Sequence, residues 1–109
     1  YYNRGTVRFE ARDFKGALED FGRVIELEPD DAFAYIRRAA VREKHGELDE
    51  AVSDYTRAID LRPREAAAYY SRGKARLRLK MNREACEDLR KAGSLGWKAS
   101  SDIMNACHE

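Results

Sequence analysis

One pattern of residues occurs three times in this chain, at a constant spacing of 34 residues. The middle copy consists of Tyr35, Arg38, Arg42, Ala51, Asp54 and Leu61. The same residue types stand one period earlier as Tyr1, Arg4, Arg8, Ala17, Asp20 and Leu27, and one period later as Tyr69, Arg72, Arg76, Ala85, Asp88 and Leu95. Self-similarity of this kind predicts a tandem array, in which each unit is one supersecondary structure that packs on its neighbours.

Each unit is predicted to be a pair of helices. In the middle unit we expect the first helix from Ala32 to His45 and the second from Leu48 to Leu61. Gly46 follows the first helix, at the position where a left-handed cap costs glycine least. Pro63 cannot continue the second helix, so the unit is expected to end there.

The second helices carry the clearest apolar stripe. In the middle unit its members are spaced by four, three and three residues, which keeps them on one helical face. The stripe is Ala51, Tyr55, Ala58 and Leu61 in the middle unit, Ala17, Phe21, Val24 and Leu27 in the first, and Ala85, Leu89, Ala92 and Leu95 in the third. We expect these side chains to form the core, with the first alanine allowing two helices to approach closely.

Each predicted hairpin also contains an arginine and an aspartate at matching heights. Arg38 lies eight residues before Gly46 and Asp54 lies eight residues after it. Equal offsets from the turn of an antiparallel hairpin bring two residues together, so we predict a bidentate ion pair between them. Arg4 with Asp20 and Arg72 with Asp88 repeat the relation.

The composition of the chain excludes several classes of partner. The 109 residues include 21 Lys and Arg against 20 Asp and Glu, a net charge of +1, so we expect neither nucleic acid nor an acidic membrane surface as partner. No apolar run approaches the roughly 18 residues of a spanning helix, which predicts a soluble segment without membrane insertion. No signal peptide is visible. Because the chain opens at Tyr1 inside the first unit, we interpret it as a mature or excised fragment whose compartment the sequence does not fix.

Nothing in the sequence has the spacing of a catalytic or metal site. Cys107 and His108 are adjacent, but neighbouring residues of a helix point about 100° apart and do not face each other. His45 stands at a predicted helix end, where an imidazole interacts with free carbonyls and the helix dipole. There is no glycine-rich phosphate loop and no zinc-spaced His/Cys cluster. We therefore expect no enzyme, no metal and no cofactor.

The two cysteines allow two interpretations. Cys86 lies near the start of the third unit's second helix, and Cys107 lies near the end of a predicted terminal helix. If those helices pack antiparallel, a disulfide would close a loop of about 20 residues and contribute roughly 3 kcal/mol. The alternative is a pair of small buried thiols in a reducing compartment.

The pattern changes at the end of the third unit. Gly93 and Gly96 end its hairpin, and Trp97 stands where the earlier units have proline. One more helix is predicted at 98–109, with an apolar face made of Ile103, Ala106 and Cys107. Such a helix would cover the last apolar face of the array, which a repeat protein needs in order to stay soluble.

The spacing and the residue types together resemble the tetratricopeptide repeat. The resemblance rests on the 34-residue period, the aromatic–x–x–Arg–Gly opening (Tyr1 to Gly5 and Tyr69 to Gly73), the turn glycine, the alanine–aromatic–alanine stripe and the closing proline. It implies an all-α fold, a right-handed superhelical solenoid of three helix-turn-helix repeats in a single domain. The repeats would be 1–31, 32–65 and 66–97, followed by the capping helix 98–109. The Arg-Gly opening is similar to that of bacterial members of the family.

The sequence departs from the family pattern in the third unit's ending, where Gly93, Gly96 and Trp97 stand, and at three further residues. Arg12 and Lys80 replace the turn glycine, and Ala39 replaces the small glycine of the first helix. These departures affect the loops and not the expected fold.

The resemblance also implies a binding surface, because the first helices of such an array line a concave groove that holds a peptide or a partner segment. By matching positions, the groove residues are Tyr2, Thr6, Phe9, Phe33, Ile36, Arg37, Lys44, Tyr70, Lys74, Leu77 and Arg78, with Ala40, Ala67 and Ser71 between them. The large apolar residues among them are expected off the face that packs on the second helix. With the flanking cations they suit an extended peptide with apolar anchors and acidic character. The alternative is that neighbouring units bury the aromatic rings and the cations form a solvated rim.

One subgroup of the family grips chaperone tails with a Lys/Asn/Asn/Lys/Arg carboxylate clamp. The matching residues here are Tyr2, Thr6, Arg37, Ala67 and Ser71, of which only Arg37 is cationic, so chaperone-tail binding of that type is not expected.

The sequence therefore leaves two functions open. The leading one is a non-catalytic scaffold that binds a protein segment in the groove. The other is a structural segment that stacks on further repeats or on a second copy of itself without binding a free peptide.

Overall fold

The computed structural model describes residues 1–97, which form six α-helices and no strand. The helices are α1 (Tyr2–Glu10), α2 (Phe14–Leu27), α3 (Ala32–Lys44), α4 (Leu48–Leu61), α5 (Ala66–Arg78) and α6 (Asn82–Ser94). Each helix packs on the next along the chain, and α1 also contacts α3. This arrangement is the predicted all-α solenoid of helical hairpins. The predicted capping helix at 98–109 lies outside the described residues.

The helix boundaries follow local chemistry. α4 begins and ends at the predicted residues, whereas α3 ends one residue early because His45 is its C-cap. Side-chain caps begin two of the helices: Asp13 Oδ1 accepts from the Gly16 N–H at 3.0 Å, and the Asp31 carboxylate accepts from the Ala34 N–H at 3.2 Å. Within residues 1–97, no helix is long and apolar enough to cross a membrane.

The turn inside each hairpin needs a residue in the left-handed region. Gly46 has a φ of +83°, and the residues that replace glycine in the other two turns, Arg12 and Lys80, have φ of +64° and +62°. A backbone hydrogen bond closes each turn in the same way, as in Glu47 N–H to the Arg42 carbonyl at 2.8 Å. The non-glycine residues therefore adopt a conformation that glycine would adopt without steric cost.

Exchanging the residues of two turns should change stability in opposite directions. We expect Lys80→Gly to raise the free energy of unfolding by about 0.5–1 kcal/mol. The substitution removes the steric cost of the left-handed backbone conformation, about 1–2 kcal/mol. Part of this gain is lost, because glycine stabilises the unfolded chain by about 0.4–1 kcal/mol through its conformational entropy. Gly46→Lys should lower the free energy of unfolding by a similar amount, because a Cβ there meets no atom within 4 Å and the backbone angle sets the cost. Urea denaturation of each variant measures the change. Lys80→Ala is the control, and equal stability of Lys80→Gly and Lys80→Ala would contradict the assignment.

The core follows the predicted apolar stripe in its first three positions, whereas the fourth residue is partly buried in the second and third repeats (Leu61 and Leu95) and exposed in the first. The first three members of the stripe are buried in all three repeats: Ala17, Phe21, Val24, Ala51, Tyr55, Ala58, Ala85, Leu89 and Ala92. Leu27 was predicted to be buried, and this prediction is wrong, because its side chain is 63% exposed. Leu27 is the last residue of α2, and its side chain lies at the surface beside Tyr1, Tyr2 and Asp31.

The predicted Arg–Asp pairs are confirmed in all three hairpins. In the middle one, Arg38 Nε lies 2.9 Å from Asp54 Oδ2 and Arg38 Nη2 lies 2.8 Å from Asp54 Oδ1. The other bidentate pairs are Arg4 with Asp20 and Arg72 with Asp88. The three aspartates are only 2–4% exposed, so these are not ordinary surface ion pairs.

A second arginine joins each pair, a contact that the repeated pattern included as a residue type but did not predict. Arg42 Nη1 lies 3.0 Å from Asp54 Oδ2. Arg8 and Arg76 approach Asp20 and Asp88 at 3.3 and 2.8 Å. Each hairpin thus contains an Arg–Asp–Arg cluster with one more positive than negative charge. In the second and third clusters, the buried Nε of Arg42 and of Arg76 has no hydrogen-bond partner among the described residues.

The first cluster should make stability depend on acidity. The Arg4 guanidinium hydrogen-bonds to Asp20 and, against the opposing effect of burial, holds the pKa of that carboxyl below its usual value. A carboxyl with a depressed folded-state pKa stabilises the fold above its unfolded pKa of about 4, and this contribution is lost as the pH falls through the folded pKa. We expect the melting temperature of the chain to fall on acidification below about pH 4. In Asp20→Asn the melting temperature should fall less steeply below about pH 4. A fall as steep as that of the wild type would contradict the prediction.

Candidate functional site

The predicted groove residues all lie on the first helices of the hairpins. Tyr2, Thr6 and Phe9 are on α1, Phe33, Ile36, Arg37 and Lys44 on α3, and Tyr70, Lys74, Leu77 and Arg78 on α5. Their exposure differs, however. Arg37, Lys44, Lys74 and Arg78 are exposed, as is Phe33, and the remaining six are partly buried.

At the α1 end, the predicted residues pack inward more than expected. The rings of Tyr2 and Phe9 pack against the buried cluster of Ala17, Phe21 and Val41. Tyr2 meets Phe21 edge-on at 5.6 Å between ring centroids. The Thr6 hydroxyl donates to the carbonyl of Tyr2 within the helix at 3.2 Å. From the sequence, the alternative to a groove is that packing covers the aromatic rings. This alternative agrees with the structure better at α1 than at α3.

The α3 residues present one exposed ring and one partly buried side chain. Ile36 was expected to lie off the face that packs on the second helix, but it packs against the buried cluster of Ala39, Ala51 and Tyr55. Phe33 is 44% exposed, with the guanidinium of Arg62 lying 5.1 Å from its ring centroid. A cation at this distance from an aromatic face is attracted by the ring.

An aromatic and cationic cluster lies at the α5 end. The ring of Tyr70 packs against the indole of Trp97 in a tilted arrangement, with 5.1 Å between the ring centroids and 34° between the ring planes. Lys74 Nζ also lies 5.1 Å from the centroid of the Tyr70 ring. Trp97 remains 39% exposed, so the cluster offers an apolar surface next to a positive charge.

A buried tyrosine and a glutamate connect α3, α4 and α5 below this surface. The Tyr55 hydroxyl donates to Glu43 Oε1, and Glu43 Oε2 lies 3.9 Å from Arg78 Nη1. Burial, and then the neighbouring Glu43, raise the pKa of Tyr55 far above its usual value, so the phenol stays protonated and remains a donor. Arg78 therefore faces an acidic group already, which reduces its availability to a ligand.

Three other cations of the surface have no ion pair among residues 1–97. They are Arg37 and Lys44 on α3 and Lys74 on α5. Arg37 is held in place by its Nε, which donates to the Tyr2 hydroxyl at 3.1 Å and so connects α3 to α1. The first-helix layer of the second and third repeats therefore carries uncompensated positive charge beside exposed apolar groups.

Sequence reasoning missed Glu43, Arg62 and Trp97 as neighbours of the site. Glu43 lies seven residues after Ile36 and shares its helical face, so the period alone could have found it. Arg62 and Trp97 lie after the ends of α4 and α6, and they contact Phe33 and Tyr70 of their own hairpins from positions outside the helical period.

The remaining candidate chemistry leads to no second site in residues 1–97. No group of three or more His, Cys, Asp or Glu side chains there is arranged to hold a metal ion. Cys86 lies buried on α6, and Cys107 lies outside the described residues, so the disulfide between them stays a prediction.

Comparison with known proteins identifies the family. Residues 2–55 match the family model of the tetratricopeptide repeat, and residues 44–80 match a second model, of the TPR repeat. The second TPR of Spaghetti (RPAP3), solved with the HSP90 peptide SRMEEVD, is 30% identical over 86% of this chain and 87% of its own, with a TM-score of 0.83. The chain belongs to the tetratricopeptide repeat family.

Two further structures are similar at slightly lower identity. The TPR2B domain of yeast Sti1, solved in a complex with pHsp70, is 26% identical over 95% of this chain and 87% of its own, with a TM-score of 0.86. MamA is 29% identical over 87% of this chain, with a TM-score of 0.85. The match covers 56% of the MamA chain, so this tetratricopeptide chain spans little more than half of that relative.

Proposed function

We propose that this chain is a non-catalytic scaffold that binds an extended, acidic peptide segment on the layer formed by α3 and α5. The observation that carries the proposal is the placement of Arg37, Lys44 and Lys74. These cations have no ion pair among residues 1–97, and they share the first-helix layer with the partly exposed rings of Phe33 and Tyr70.

The chemistry of the ligand follows from these groups. Phe33 and the Tyr70–Trp97 stack offer apolar surface for two anchoring side chains. Aromatic groups and arginines dominate the energetics of most interfaces, particularly where water is excluded. Carboxylates between the anchors would pair with Lys44 and Lys74, and the charge complementarity would also accelerate association.

The relatives support a peptide ligand in general but not a particular one. Two of the similar structures were solved with chaperone peptides or partners, and the HSP90 peptide SRMEEVD is acidic. This chain has Tyr2, Thr6, Arg37, Ala67 and Ser71 at the positions of the carboxylate clamp. We therefore propose recognition through side-chain carboxylates and apolar anchors, and not through a terminal carboxylate.

A double substitution at the α5 end should remove binding without unfolding the chain. Peptides selected from a random display library against the wild-type chain should be enriched in Asp and Glu next to aromatic or large aliphatic residues. Tyr70→Ala with Lys74→Ala should weaken their binding by about 2 kcal/mol or more, roughly 30-fold, because it removes an anchor surface and a cation together. Fluorescence titration measures the affinity, and circular dichroism verifies the fold.

The matched control removes a charge from the opposite helical layer. Lys91→Ala on α6 should leave the affinity unchanged, since Lys91 is exposed on a second helix. Rising salt should weaken the wild-type complex, because exposed charges are screened. Selected peptides that bind the double variant as tightly as the wild type would exclude this surface as the binding site.

A further inference from the structure

The middle hairpin has a polar pair of side chains at two positions where the other hairpins are apolar. Glu43 of α3 and Tyr55 of α4 form this pair. One 34-residue period away, the corresponding pairs are Phe9 with Phe21 and Leu77 with Leu89. In the first hairpin, Phe9 packs against the buried cluster that contains Phe21. Both positions therefore change to polar residues in the same repeat.

The polar pair is largely buried, and a cation of the next hairpin completes it. Tyr55 is 2% exposed, and its hydroxyl donates to Glu43 Oε1. The Glu43 side chain is 16% exposed, and its Oε2 lies 3.9 Å from Nη1 of the exposed Arg78 on α5. Replacing buried ionic groups by packed apolar side chains is often neutral for stability. An apolar pair would therefore serve the fold equally well, and the difference that Glu43 makes lies at Arg78, one of the predicted groove residues.

Glu43 keeps a negative charge next to Arg78. Its carboxylate is held by the Tyr55 hydroxyl, and the raised pKa of Tyr55 keeps that donor protonated. A ligand carboxylate on Arg78 would lie near Glu43, and two negative charges at short distance repel each other. Lys44 is the next residue of α3, but successive residues of a helix point about 100° apart. The charge of Glu43 therefore acts on Arg78 more than on Lys44.

We propose that Glu43 is a specificity-determining residue of the peptide site. Held by Tyr55, it occupies Arg78 and excludes a ligand carboxylate from that position. Acidic side chains of the ligand are then confined to Arg37, Lys44 and Lys74, and the ligand residue beside Arg78 is uncharged. This inference rests on the proposed peptide site on α3 and α5.

Peptides selected in parallel on the wild-type chain and on Glu43→Gln test the proposal. The amide oxygen of glutamine still accepts from the Tyr55 hydroxyl, so the substitution removes the charge and keeps the hydrogen bond. Peptides selected on Glu43→Gln should carry one more acidic residue, at a fixed position. They should bind Glu43→Gln about fivefold more tightly than the wild type, the upper range for an exposed ion pair. Adding Arg78→Ala to both chains should abolish this preference.

A second variant and a control accompany Glu43→Gln. Glu43→Leu with Tyr55→Phe gives the middle hairpin an apolar pair like those of the other two, and it should show the same fivefold preference. Glu50→Gln removes the same charge from an exposed position of α4 and should leave every affinity unchanged. Fluorescence titration measures the affinities, and circular dichroism verifies that each variant is folded.

The contrary outcomes separate this inference from the peptide site itself. Equal numbers of acidic residues in both selections, or a preference that survives Arg78→Ala, would overturn the role of Glu43. In that case the peptide site still stands if Tyr70→Ala with Lys74→Ala removes binding of the selected peptides. Selected peptides that bind this double variant unchanged, or selections that yield no peptide, would overturn both proposals.

Discussion

Asp54→Ala should destabilise this chain by about 3–5 kcal/mol, because it leaves two largely buried guanidinium groups without their shared counter-charge. Asp54 is 4% exposed and accepts from both Arg38 and Arg42, whose side chains are 22% and 25% exposed. A small domain is stable by only about 5–15 kcal/mol in total, so the loss would be a large part of the whole. Urea denaturation followed by helical circular dichroism measures it.

Asp60→Ala is the matched control for this prediction. Asp60 lies on the same helix and is exposed, so removing its charge should change the free energy of unfolding by less than about 0.5 kcal/mol. A similar small effect of Asp54→Ala would show that water compensates the two arginines, and that the cluster contributes little to stability.

Phe21→Ala should cost about 3–5 kcal/mol, the usual range for removing a fully buried aromatic side chain. The Phe21 ring is 0% exposed and belongs to the cluster that joins α2 to Val41 of α3. It also lies so close to α1 that a Cβ on Gly5 would come within 3.0 Å of its Cζ atom. The substitution should therefore loosen the first hairpin internally and weaken its joint with the second.

Leu27→Ala on the same helix provides the comparison. Leu27 is 63% exposed, so its truncation should change stability by less than about 0.5 kcal/mol. Equal losses for Phe21→Ala and Leu27→Ala in thermal and urea denaturation would contradict the buried cluster as described.

The sequence predicted those features that repeat. The period located α4 at its observed bounds and placed Arg38 beside Asp54, because both depend only on spacing within one hairpin. The same reasoning overestimated the burial of Leu27, since a period describes an average unit, whereas Leu27 is the last residue of α2 and lies at the surface.

Features that depend on how neighbouring helices pack, within one hairpin or between two, were less predictable. The direction of Ile36 toward Ala51 and Tyr55, and the contact of Arg78 with Glu43, arise from how neighbouring helices pack and from rotamers. A long side chain such as arginine can reach several partners, so spacing alone does not choose among them. The residues predicted for the groove lie on the first helices, while their individual exposure required the packed structure.

Trp97 gives this chain a built-in local reporter. It is the one tryptophan of the sequence, and its stack on Tyr70 ties its emission to the surroundings of α5. Units of a linear array contact only their neighbours, so such a protein can lose its end units before the rest. Indole fluorescence and far-ultraviolet dichroism recorded on one heated, label-free sample will distinguish fraying of the last hairpin from melting of the entire stack.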